Sequence, residues 1–189
     1  LPRTKYVVTP TFAKVRIESA DHGSIQRAND SKIGVRLGVH TPNFKIKSMT
    51  PEWQMKGKSA TALLSVELAF EYSGLIRISK NVPSSSACYK AAEEHELEHE
   101  SICVSETKAS IGACEKILQS HVEAILKKSY KNDIAKAEAD ESAFIRAVGI
   151  AAFSEMQDGP FYKVADKSTK IDTASTYAPI EALCADYLE

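Results

Sequence analysis

The chain carries no surplus of charge: 24 basic and 25 acidic residues, interleaved along its length, leave a formal net charge of −1. That argues against a nucleic-acid partner, which needs a basic face, and against a polybasic membrane patch. No apolar run approaches the ~18–20 residues that cross a bilayer as a helix, so no integral membrane segment of that kind is expected. There is no low-complexity tract and no Cys-x-x-Cys pair, which removes a disordered repeat and a zinc ribbon from consideration. Cysteine is sparse, with four in 189 residues, yet the even number suits two disulfides in an oxidising compartment. The start at Leu1-Pro2-Arg3, without an initiator methionine, fits a mature secreted or periplasmic form. Hydrophobic residues make up 43% of the chain, enough for one core and short for two, so a single domain over 1–189 is expected.

Residues 1–82 are expected to be mainly strands. Tyr6–Val8, Lys14–Glu18, Gly34–Val39, Phe44–Lys47, Ala62–Tyr72 and Leu75–Ile78 are β-rich, several with period-two alternation, and the expectation is an antiparallel meander. Asp21-His22-Gly23-Ser24, Asn29-Asp30-Ser31, Thr41-Pro42-Asn43 and Ser73-Gly74 supply the turns. An exposed strand edge at Ser65–Tyr72 would align an extended peptide by main-chain hydrogen bonds.

Helices follow over 83–158. Ser84-Ser85-Ser86 offers caps, and Gly112 is the expected break between a first helix and a second through Leu118, Val122 and Leu126. A third helix from Asn132-Asp133 would bury Phe144, Ile145, Val148, Ile150, Ala151 and Phe153 and end at Asp158-Gly159-Pro160. The tail, 159–189, is expected to be turn-rich with a short helix from Pro179 to Tyr187, closing on the site. A hairpin turning near Gly112 would pair Cys103 with Cys114, leaving Cys88 for Cys184; the alternative is buried free thiols.

The motif with a chemical mechanism is His95-Glu96-Leu97-Glu98-His99. On a helix, His95 and His99 face the same side and can offer two imidazoles to one zinc ion, with Glu96 placed to take a proton from the attacking water. The alternative is a solvated helix face, since Glu93, Glu94, Glu98 and Glu100 surround the motif. A catalytic zinc needs a third protein ligand. Cys103 and Glu106 lie about 6 and 10 Å further along the axis, too far to share a metal with His95 on a straight helix. That leaves Glu138, or the tail segment Ile171-Asp172-Thr173-Ala174-Ser175-Thr176-Tyr177-Ala178. His22 and His40 are expected at the surface, His121 at a core edge and Trp53 as a core anchor.

Strands, a His-Glu-x-x-His helix, more helices and the tail segment around Asp172 come in the order of a bacterial family of predicted secreted zinc-dependent proteases, which the chain resembles in layout. That family's tail pattern is Tyr-Asp-x-x-Thr-x-His-Gly; here Ile171 stands for its tyrosine, Ser175 for its threonine, Tyr177 for its histidine and Ala178 for its glycine. The resemblance implies a zincin-like α+β domain, with an antiparallel sheet on a helical layer, a Zn2+ cofactor, a peptide or protein substrate, His95, His99 and Tyr177 as metal ligands, and Glu96 as general base. The alternative is an exported metal-binding or protein-binding module with an inactive site.

Overall fold

The computed structural model describes residues 3–28 and 36–187. The turn at Asn29-Asp30-Ser31 and the first two residues of the strand expected at Gly34–Val39 lie outside the described residues. The fold is α+β. A four-stranded sheet is formed by β1 (Lys5–Phe12), β2 (Arg16–Ala20), β3 (Gly38–Lys56) and β4 (Ser59–Ser79), with a short helix α1 (His22–Ala28) between β2 and β3. The helical part comprises α2 (Ala87–Ser129), α3 (Ile134–Ala139), α4 (Glu141–Met156), α5 (Tyr162–Ser168) and α6 (Ala174–Cys184). Among the described residues, no helix is long and apolar enough to cross a membrane.

The antiparallel meander is corrected by the pairing at β2. β2 runs parallel to β4, from Arg16 opposite Leu75 to Ala20 opposite Ser79. Hydrogen bonds to β4 from β1 and the residue before it, Thr4 to Leu63, Thr9 to Glu67 and Thr11 to Phe70, advance in the same sense along both segments. β3 and β4 form a hairpin across Gly57-Lys58, where Gly57 takes the positive φ that the tight turn demands. β4 therefore pairs with β1, β2 and β3, and the edge expected at Ser65–Tyr72 is not open to a peptide.

The chain divides into two compact units, each drawn from three stretches of sequence. The first comprises the chain up to Thr11, Phe44–Glu71 and Thr107–Tyr162; the second comprises Phe12–Asn43, Tyr72–Glu106 and the chain from Lys163 on.

In the first unit an aromatic cluster forms the core: Phe161 stacks on Phe44 at 4.0 Å between centroids and meets Phe70 at 5.0 Å and Phe153 at 5.8 Å. The expected stop at Asp158-Gly159-Pro160 is replaced by one wide π-helical turn, Gln157–Phe161, with Pro160 inside it. Phe144, Val148 and Phe153 of α4 are buried as expected, whereas Ile145 and Ala151 are half-buried and Ile150 is 67% exposed. Lys131 and Asn132 adopt left-handed φ after α2, and the Asp133 side chain accepts from Lys136 N to cap α3.

In the second unit, Leu37, Val82, Cys88 and Cys184 make a buried cluster covered by Tyr89, Ile180 and Tyr187. The Cys88–Cys184 disulfide crosses it, as expected, tying the first turn of α2 to the last turn of α6. The expected Cys103–Cys114 pairing is corrected: both are buried free thiols. Gly112 does not break α2, because one exposed glycine costs only about 1 kcal/mol relative to alanine in a 43-residue helix. Eleven residues apart on one unbroken helix, the two cysteines are separated by about 16 Å of rise, beyond disulfide reach. Ser73-Gly74 likewise does not interrupt β4. A Cβ on Gly74 would stand 2.0 Å from Glu100 Oε2, so the glycine makes room for a side chain.

Candidate metal centre

The site lies within the second unit. Ser86 Oγ accepts from Tyr89 N at 3.0 Å, so the expected serine cap starts α2. Helical spacing then puts His95 and His99 one turn apart on a common face, with their Nε2 atoms 3.2 Å apart. Glu96 sits beside them, its ligand atom within 4.8 Å of both imidazoles, and all three side chains are buried. That packing needs Gly38 at the start of β3, where a Cβ would meet Glu96 Cγ at 2.8 Å. Glu98, in contrast, is exposed.

The tail supplies a third donor. After α5, a 3-10 turn (Thr169–Ile171) and the Thr173–Thr176 capping box of α6 bracket Asp172. Its Oδ1 stands 2.9 Å from His99 Nε2 and 3.1 Å from His95 Nε2. Donors bound tetrahedrally at about 2.0–2.1 Å stand roughly 3.3–3.4 Å from one another. The observed separations of 2.9, 3.1 and 3.2 Å therefore match a tetrahedral face to within about half an ångström, and the two-imidazole, one-carboxylate set suits zinc chemically.

A second layer orients these donors. Arg36 Nη1 donates to Asp172 Oδ2 at 2.8 Å, Ser168 Oγ lies 2.9 Å from His99 Nδ1, and the Tyr177 hydroxyl donates to Asp172 Oδ1 at 3.1 Å. The Tyr177 ring also sits edge-on to His95 at 4.7 Å and beneath the Arg36 guanidinium at 4.8 Å. Burial, then the charges of Glu96 and Asp172, push the Tyr177 phenol up, so it stays a hydrogen-bond donor. The oxygen that meets both imidazoles belongs to Asp172.

The electrostatics fit a cation-seeking centre. Burial opposes the charge of Asp172, but hydrogen bonds from His95 and His99, the His99 charge and Arg36 more than offset it, holding the carboxyl well below its usual range. Burial pulls the His99 imidazole down, yet Asp172 and Glu96 outweigh it and its proton affinity is raised. Burial pushes the Glu96 carboxyl up despite the opposing pull of His99 and His95. Two imidazole nitrogens and an ionised carboxylate converging on one point call for positive charge there, a proton or a metal ion.

Beside this centre lies a cavity of about 200 Å³ lined by Glu96, His99, Asp172, Arg36, His40 and Ser168, among others. His40, expected at the surface, is half-buried instead, with its side chain 2% exposed. It stacks parallel on His99 at 6.2 Å, and its Nε2 is 2.7 Å from Glu100 Oε2, which also accepts from the Tyr72 hydroxyl at 2.6 Å. Glu100, charged and one turn beyond Glu96, is thus turned inward by specific partners.

The other candidates fall elsewhere. Glu138 is on α3 and belongs to the first unit. His121 pairs with Glu155 at 2.7 Å, and Trp53 Nε1 donates to Glu141 at 2.7 Å while its ring meets Phe144. His22 is half-buried on α1. Asp172 carried one sequence signal, its place as the aspartate of the tail pattern. Arg36, His40, Tyr72 and Ser168 carried none, because their roles depend on partners 28 to 136 residues away. No protein-family model, curated protein or solved structure matches this chain.

Proposed function

We propose that the chain is a zinc-dependent hydrolase of peptide bonds, built as a zincin-like domain and acting in an oxidising, exported compartment. The convergence of His95 Nε2, His99 Nε2 and Asp172 Oδ1 within 3.2 Å of one another, beside a buried glutamate, carries the reading. The Cys88–Cys184 disulfide supports export.

Zinc at these donors would supply the Lewis acid that lets water attack a peptide carbonyl at neutral pH. Glu96 takes the proton from the attacking water and passes it to the leaving amine; its raised proton affinity suits both transfers. Arg36, Ser168 and Tyr177 keep the donor atoms in register through the contacts described above. The cavity of about 200 Å³ admits a compact part of the substrate next to Glu96.

Metal content of the purified protein by elemental mass spectrometry, beside a His95→Ala/His99→Ala variant, tests the reading. About one zinc per wild-type chain, lost in the variant, is expected, together with hydrolysis of a peptide library that Glu96→Gln abolishes while keeping its zinc. Bound zinc without any hydrolysis selects the alternative, an exported metal-binding or protein-binding module with an inactive site. No zinc after supplementation overturns both.

A further inference from the structure

Within the second unit, α6 touches α2 at two points with matched spacing. Cys88 and His95 lie seven residues apart on α2, and Tyr177 and Cys184 lie seven apart on α6, so each pair sits two turns apart on one helix face. Cys88 meets Cys184 in the disulfide, with a Cα–Cα distance of 4.9 Å, and the Tyr177 ring meets His95 at 4.7 Å. α6 therefore runs antiparallel to α2, with its last turn fixed by the disulfide and its first turn at the metal centre.

Little else fastens this helix. Its buried residues are Tyr177 and Cys184, one at each contact, and its half-buried Ile180 packs on the cluster that the disulfide crosses. Between the two contacts Leu37, Ala92, Ile180 and Glu181 line a small cavity, so the helices are not closely packed there. With 11 residues, and with Pro179 inside it lacking the N–H for one helical bond, α6 is also too short to hold its form in water alone.

α6 in turn places the third donor. The Tyr177 hydroxyl donates to Asp172 Oδ1 at 3.1 Å, and the Thr173–Thr176 capping box locks the residue after Asp172 onto the first turn. The backbone from His99 to Asp172, by contrast, leaves this unit at Thr107 and returns only at Lys163. Each residue of slip along α2 would move α6 by about 1.5 Å, enough to break the contacts of 2.9 and 3.1 Å between Asp172 and the two imidazoles.

We propose that the Cys88–Cys184 disulfide is a redox control on the metal centre: oxidised, it holds Asp172 against His95 and His99, and reduced, it frees α6 and weakens metal binding. The inference rests on the hydrolase reading above and adds its regulation. Reduction breaks the Sγ–Sγ bond with two electrons and two protons from a dithiol, which leaves as its own disulfide. Both sulfurs are covered by Tyr89, Ile180 and Tyr187, so the reductant reaches them when the end of α6 lifts, and a metal bound at the other end opposes that opening. The two effects are one coupling seen from either site. The result is a hydrolase that keeps its metal in an oxidising compartment and gives it up in a reducing one.

The test uses the full chain, with zinc alone as the ligand. Competition titration against a chromogenic chelator compares the oxidised protein with a Cys88→Ala/Cys184→Ala variant, which cannot hold zinc through released thiols. The variant, folded by circular dichroism, is expected to bind zinc about ten- to a hundredfold more weakly. In wild-type protein, saturating zinc is expected to slow reduction of the disulfide by tris(carboxyethyl)phosphine by a similar factor, and zinc-saturated Asp172→Asn is expected to lose that protection. The second measurement starts from the folded, oxidised chain, so it decides the question if the double variant does not fold. Equal zinc affinity in the folded variant, reduction unchanged by zinc, or protection kept in Asp172→Asn would overturn the proposal while leaving the hydrolase reading intact. Failure of the oxidised wild-type protein to bind zinc would overturn both.

Discussion

Replacing Asp172 by asparagine and Tyr177 by phenylalanine separates a ligand from its neighbour. Zinc binding by sites of three or four side chains is worth on the order of 10–16 kcal/mol at neutral pH, so a single donor among three accounts for roughly 3–5 kcal/mol. Asp172→Asn keeps the shape but removes the charge that faces both imidazoles at 2.9 and 3.1 Å, and zinc affinity should fall by about two to four decades. Tyr177→Phe removes only a hydroxyl 3.1 Å from Asp172 Oδ1, an outer contact worth about tenfold. A competition titration against a chromogenic chelator measures both constants. Asp172→Asn also replaces the charged partner of Arg36 at 2.8 Å by a neutral acceptor, which should cost about 1–3 kcal/mol of metal-free stability, so affinities are compared where circular dichroism shows both variants folded. A larger loss for Tyr177→Phe than for Asp172→Asn would refute the reasoning and make the phenol the third ligand.

Zinc must displace the proton that His99 holds with raised affinity, so apparent zinc affinity should fall about tenfold per pH unit below the His99 pKa. The sign for metal-free stability is opposite: a histidine whose folded pKa exceeds its unfolded value of roughly 6.5 stabilises fully below that value and loses the contribution as pH rises through the folded pKa. The zinc-induced rise in Tm should therefore grow as pH rises through the raised His99 pKa, and a flat profile in differential scanning calorimetry would contradict the His99 assignment. Gly74→Ala must displace Glu100, whose Oε2 the new Cβ would approach to 2.0 Å, and should cost about 1–3 kcal/mol in urea unfolding; an unchanged midpoint would mean that Glu100 swings aside freely. Unfolded without reductant, the protein should show two titratable thiols, Cys103 and Cys114, and opening Cys88–Cys184 should cost about 2–4 kcal/mol. Four thiols, or none, would refute that pairing.

The legible parts of this protein were those written in local spacing. Four-residue separation on a helix brings His95 and His99 together whatever the rest of the chain does, and Ser86 caps that helix as its position implies. Phe144, Val148 and Phe153 of α4 were readable for the same reason, whereas Ile145, Ile150 and Ala151 lie outside its buried face. Breaks were misjudged where a weak local signal met a strong tertiary one. Gly112, Ser73-Gly74 and Gly159-Pro160 each carry a turn signature, yet the helix or strand runs on through the first two and a π turn absorbs the third.

Strand direction and the completed site were decided by tertiary structure alone. Period-two alternation reports which face of a strand is buried and is identical for parallel and antiparallel partners, so β2 beside β4 could not be oriented from it. The third donor, Asp172, lies 73 residues beyond His99, and its partner Arg36 lies 136 residues before it. Loop closure on that scale leaves no periodicity in the sequence. What the sequence determined by itself is the two-imidazole face and the glutamate beside it. Folding determined the rest, because a carboxylate such as Asp172 meets two imidazoles only through the neighbours that burial presses against it.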